Sequence, residues 1–152
     1  MKKLRKVSLS LLLCVGAVLS LFAQTKTNVI VKNEVFRVSY NETLEQPNWV
    51  EYDVRKITKV ADRDGMDFYT VKDVYTSNSA DYKNNVWDKG HMAPAAAFTD
   101  SYKNLKTTFS YLNCSLQFDK LNRGAWRELE AQERVWAKRY GTLKVRIVLH
   151  FE

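Results

Sequence analysis

The side chains with the most chemistry in this chain fall between Trp87 and Glu130. The stretch opens with Asp88-Lys89-Gly90-His91-Met92-Ala93-Pro94-Ala95, which carries one of only two histidines. An imidazole exchanges a proton near neutral pH, and a lysine meets a phosphate oxygen as a point charge. The stretch closes with Asn122-Arg123-Gly124-Ala125-Trp126 and Glu130. Amide and carboxylate oxygens suit a hard cation such as Mg²⁺. A base, a cation site and a phosphate clamp together point to metal-assisted hydrolysis of a phosphodiester.

Those residues need elements to hold them. Val29 to Val31 and Val35 to Tyr40 are short β-rich runs separated by Lys32-Asn33-Glu34, the pattern of an opening hairpin. Asn41 to Asn48 reads as a connection punctuated by Pro47. Val50, Tyr52 and Val54 then alternate with Glu51, Asp53 and Arg55, as in a half-buried strand. Ala61 to Gly65 is charged and turn-like, and Phe68 to Val74 reads as extended. Tyr102 to Lys106 fits a helical turn, and Thr107 to Leu112 an extended segment leading into Asn113.

Gly124 to Tyr140 is rich in helix formers and free of internal Gly or Pro, and Gly141 supplies a stop. Trp126, Leu129, Trp136 and Tyr140 mark the expected apolar face, with Glu133 interrupting it. Leu143 to Phe151 alternates as a strand. The expected class is α+β, with an antiparallel sheet and one long helix.

At 152 residues the chain allows one domain. Residues 1–23 have the layout of a secretory signal peptide. Lys2, Lys3, Arg5 and Lys6 precede an apolar run from Val7 to Phe22, with Ala23 before the expected cleavage point. The run falls short of the ~20 apolar residues of a spanning helix. The expected remainder, 24–152, is a secreted or periplasmic domain with no membrane anchor. The leader holds 4 of the 24 basic residues and none of the 17 acidic ones. The remainder therefore carries 20 against 17, a net charge of +3, too weak a bias to establish nucleic-acid binding. Cys114 is its only cysteine, which excludes an internal disulfide or a cysteine-held zinc.

Four ordered blocks resemble the DNA/RNA non-specific endonucleases of the ββα-metal (His-Me finger) class, which includes endonuclease G. They are Asp88 to Ala95; Thr108-Phe109 with Asn113 and Gln117; Asn122-x-Gly124-x-Trp126 with Glu130; and, upstream, Tyr40-Asn41 with Gln46-Pro47-Asn48-Trp49-Val50. The resemblance implies His91 as general base and Asn122 as direct ligand of a mostly hydrated Mg²⁺, with Mn²⁺ as substitute. Glu130 is implied to act on that cation through water, and Lys89 on the substrate. Asp88 and Asn113 are implied to orient the catalytic loop. On a continuous helix Asn122 and Glu130 lie about 12 Å apart along the axis and about 80° apart around it, which favours a water-bridged role for the carboxylate. DNA and RNA are the implied substrates, cut to 5′-phosphate and 3′-hydroxyl ends.

Two departures stand out. Lys89 occupies a position where the family usually has arginine, so the two-pronged phosphate contact is lost. The upstream arginine that the family uses has two candidates, Arg55 and Arg63, and spacing does not choose between them. The chain is also expected to lack the C-terminal part of the family fold, leaving an edge at Leu143 to Phe151. The rival readings are an inactive nuclease fragment that at most binds nucleic acid, and a half-domain completed by a separate chain.

Overall fold

The computed structural model describes residues 28–151, and the expected leader at 1–23 lies outside the described residues. No helix among the described residues is long and apolar enough to cross a membrane. The first sheet is antiparallel, in the order β1 (Asn28–Lys32), β2 (Phe36–Asn41), β3 (Gln46–Arg55), β6 (Thr142–Val148). The opening hairpin forms as the sequence indicates, with Asn33 Oδ1 accepting from the Val35 and Phe36 amides at its turn. The alternation in β3 is also realised. Val50, Tyr52 and Val54 are buried against Val38 and Phe36, while Arg55 is exposed. Leu143, Val145 and Ile147 of β6 add to the same core.

Pro47 does not punctuate a loop. It lies inside β3, and the connection is shorter, from Glu42 to Glu45. The ladder shifts register between Ser39 and Tyr40, so that Ser39 opposes Trp49 and Tyr40 opposes Pro47. Asn48 is the extra residue, and its amide donates to Ser39 Oγ at 3.1 Å. A bulge is where a sheet tolerates a residue with no N–H to give.

The second sheet is a two-stranded finger, β4 (Trp87–His91) against β5 (Cys114–Phe118). Between them the chain makes a tight turn at Ala95–Ala97 and helix α1 (Tyr102–Thr108). Ser101 caps α1 by accepting from the Asn104 amide. Residues 107–112, expected to be extended, instead finish α1 and enter a further turn at Tyr111–Asn113. Phe68 to Val74 is not a strand either. Only Tyr69 bridges, to Ser110, and the aromatic rings of this segment pack inward.

The long helix starts earlier than its composition indicates. A short α2 (Asp119–Leu121) runs through a wide turn at Asn122–Trp126, kinked at Gly124, into α3 (Arg127–Tyr140). Gly141 ends it at φ 92°, a backbone conformation that glycine adopts without penalty. The buried stripe of α3 is displaced by about 45° from the expected apolar face. Glu133 and Ala137 face the sheet, while Leu129, Trp136 and Tyr140 are exposed. The reason is Tyr52, whose buried hydroxyl donates to the Glu133 carboxylate at 3.1 and 3.2 Å. A buried polar partner rotates the helix away from its most apolar stripe.

Candidate active site

The finger and the kinked helix are joined through the side chain of Asp88. Its Oδ2 accepts from the Asn122 amide at 2.9 Å and from Arg123 Nε at 2.8 Å, and its Oδ1 accepts from Arg123 Nη2 at 2.7 Å. Two parallel N–H···O bonds make a bidentate, directional pair. The Arg123 guanidinium, with help from Asn122, holds the Asp88 carboxyl below the usual carboxylate range. One turn further, Trp126 Nε1 donates to the His91 carbonyl at 3.0 Å. The wide turn thus binds β4 at Asp88 and again at His91, the two ends of the Asp-Lys-Gly-His run. Because of the kink at Gly124, the angle expected between Asn122 and Glu130 on a continuous helix does not apply here.

Part of His91 reaches the surface, but its ring is packed between Phe68, at 4.6 Å between centroids, and the edge of Phe109, at 4.8 Å. Nε2 is shielded and has no hydrogen-bond partner among the described residues. Burial, with the nearby Arg63 charge, lowers the imidazole to about 3. The ring is neutral at pH 7, with a nitrogen lone pair free to accept a proton.

Asn113 is wholly buried and spends its side chain on the loop that leaves His91. Its Oδ1 accepts from the Ala93 amide at 2.7 Å, and its Nδ2 donates to the Ala93 and Thr108 carbonyls at 2.9 Å each. Its own carbonyl accepts from the Met92 amide. Asn113 therefore positions His91 and reaches no solvent. Gly90 is required by close approach: a Cβ there would collide with the Gln117 side chain on the facing strand. Cys114 is buried at the head of β5, its thiol pushed up to about 12 by burial, and is unreactive on that account.

Lys89 lies two residues from His91 on the strand. Its ammonium is held by Asp67 at 2.6 Å, in a pair whose carboxylate partner is largely exposed. Arg55 pairs with Asp53 at 3.5 Å. Arg63, by contrast, acts electrostatically on both His91 and Glu130. Of the two candidate arginines, only Arg63 bears on both of those site residues. Burial pushes the Glu130 carboxyl up to about 7. The residue that sequence reasoning missed is Arg123. The available signal was a cation directly beside a candidate metal ligand, in a block opposite an aspartate.

Among the described residues no group of three or more His, Cys, Asp or Glu could hold a metal ion. The donor set suits a mostly hydrated cation instead. Asp88 engages Asn122 Nδ2 and leaves the amide oxygen Oδ1 as donor, with the half-buried Glu130 side chain two turns along. Those groups fit Mg²⁺, which keeps most of its water and takes few protein oxygens.

Residues 20–152 match the profile of the DNA/RNA non-specific endonuclease family. The chain belongs to that family. As a non-specific endonuclease family member it is similar to mitochondrial nuclease EXOG of Danio rerio, 28% identical over 113 residues, covering 71% of this chain and 33% of that protein. It is similar to human mitochondrial endonuclease G, 29% identical over 117 residues, covering 74% of this chain and 39% of that protein. The crystal structure of an EndoG/EndoGI complex superposes with a TM-score of 0.72 at 27% identity, over 77% of this chain and 51% of that one. The α+β architecture, with its antiparallel sheet and one long helix, therefore matches about half of the EndoG structure. The chain spans between a third and two fifths of the length of these curated relatives.

Proposed function

We propose that this chain is a secreted or periplasmic endonuclease that hydrolyses DNA and RNA phosphodiesters with Mg²⁺. The observation that carries the reading is the Asp88 knot, which fixes Asn122 and Arg123 to the strand that ends in the neutral, unpartnered imidazole of His91. Family membership supplies the reaction class. Export is supported by the basic, then apolar, layout of residues 1–23.

Asn122, through Oδ1, and Glu130, through intervening water, are the residues that would hold the cation. When bound, that cation supplies charge neutralisation at the scissile phosphate and its leaving oxygen. The neutral His91 imidazole accepts a proton from the attacking water, whose oxygen bonds to phosphorus as the bond to the 3′ oxygen breaks, and that leaving oxygen takes up a proton from solvent water. The products are a 5′-phosphate and a 3′-hydroxyl. An approaching phosphate favours the protonated imidazole, which strengthens the base at the moment it acts. Asp88 and Asn113 hold the geometry and touch no reacting atom. Lys89 reaches the phosphate by exchanging Asp67, and an ion pair this exposed costs about 1 kcal/mol or less to give up. Arg63 adds positive charge beside His91.

The test is nicking of supercoiled plasmid by the purified chain. Activity is expected with Mg²⁺, lost with EDTA, and reduced about 10²- to 10⁴-fold by His91→Ala. Equal cutting by wild type and His91→Ala would refute the assignment of His91 as base.

A further inference from the structure

A groove of about 430 Å³ opens beside the site, between the Ala95–Ala97 turn and the C-terminal half of α3. Six cationic side chains line it, Arg55, Lys56, Lys59, Arg63, Arg134 and Lys138, against a single carboxylate, Asp62. That carboxylate is already paired with Lys59 at 2.8 Å. Lys56 and Lys138 have no ion-pair partner among the described residues. The floor is small and apolar, made by the three alanines with Ile57 and Leu105. The groove joins the site at two points. Arg63 bears on His91 and Glu130, and Arg134 Nη1 donates to the Glu130 carbonyl at 2.8 Å. Glu130, Arg134 and Lys138 then follow one another at intervals of about 6 Å along α3.

Resting on the nuclease reading, we propose that this groove carries the sugar–phosphate backbone of one strand away from the scissile phosphate, with Lys56 and Lys138 gripping phosphates that are not cut. The chemistry is that of a backbone track. Unpaired cations meet phosphate oxygens, alanine methyls admit the sugar at close range, and no amide or carboxylate is free to read a base edge. The volume suits a short stretch of the backbone of one strand. The track holds a long polymer in place without regard to sequence.

The test is equilibrium binding of a fluorescein-labelled single-stranded oligonucleotide to the full chain in EDTA, over a series of salt concentrations. Lys56→Ala combined with Lys138→Ala is expected to weaken binding roughly tenfold, equally for two unrelated sequences. The slope of log K against log salt is expected to fall by about 1.4, the value for two single-strand phosphate contacts. The charge-matched control is Lys32→Ala with Lys144→Ala, which removes two lysines that line the adjoining groove on the sheet and not this one. That control is expected to leave both quantities unchanged. Equal loss in the two double variants, or no loss in the first, overturns the track. Because the measurement needs no turnover, a wild type that binds as described but never nicks plasmid refutes the nuclease reading and leaves the track supported.

Discussion

The sheet of β1, β2, β3 and β6 and the finger of β4 and β5 are held together by different forces. In the sheet, Val38, Val50, Tyr52 and Val54 are buried in register, and the core is apolar side chain against apolar side chain. In the finger, the ties are polar and directed. Asp88 binds Asn122 and Arg123, Asn113 binds the loop after His91, and Trp126 binds the His91 carbonyl. A bond crosses between the two regions: the Leu116 amide donates to Gln46 Oε1 at 2.9 Å. Apolar packing is non-directional and tolerates small shifts. Directed bonds fix positions to fractions of an ångström, as a site requires. The sheet supplies stability, and the finger spends it on geometry.

The comparison is broken most easily at Asn113. Asn113→Ala leaves the Ala93 amide and two carbonyls unpaired in the interior, at an expected cost of about 3 kcal/mol or more in urea unfolding. Val50→Ala in the sheet is expected to cost about 2 kcal/mol, from lost burial plus a small cavity. The distinguishing measurement is kcat of the folded fraction, which should collapse for Asn113→Ala and hold for Val50→Ala. Similar kcat losses in both would mean that the two regions are not separable.

Asp88→Ala sharpens the contrast further. It releases Asn122 and Arg123 together, and groups that orient a metal ligand are worth about 10- to 100-fold in metal affinity or activity. A titration of activity against Mg²⁺ concentration should show the loss, with circular dichroism close to wild type.

The smallest expected effect concerns Glu133, where the sheet itself buries a carboxyl. Burial raises its pKa above the ordinary ~4.3, although the Tyr52 hydroxyl and Arg134 pull the other way. As pH rises, the unfolded chain therefore releases this proton first, and stability falls through and above the ordinary carboxylate range. Glu130, raised to about 7 in the same part of α3, adds a fall of the same sign. Glu133→Gln in EDTA should flatten that decline without abolishing it, as read from melting temperature between pH 5 and 7. A profile as steep as wild type would show that Glu133 does not carry it.

How much of this was legible depends on which force holds each part. The hairpin, β3, β6 and the existence of the long helix follow from alternation and propensity, and the structure shows them. The class and the family blocks were legible too, because they rest on residue identities in order. Where a polar bond decides, periodicity misleads. The spacing of Trp126, Leu129, Trp136 and Tyr140 sets one apolar face, yet the Tyr52–Glu133 bond draws the buried stripe about 45° round the helix, to Glu133 and Ala137. Pro47 reads as a break until the bulge at Asn48 is known. Residues 107–112 look extended because Thr and Phe favour strands, but the Ser101 cap and the turns around Ser110 coil them. Arg123, and the capture of Lys89 by Asp67, are long-range contacts that no local pattern encodes.

Gly90 faces Gln117 across the finger, so closely that the strand opposite leaves it no room for a side chain. The glycine of the Asp-Lys-Gly-His run is thus dictated by its neighbour's bulk and not by a turn. A methyl at position 90 forces the Gln117 side chain to swing aside or to shrink. A saturation library should recover alanine at 90 more often beside a smaller residue at 117.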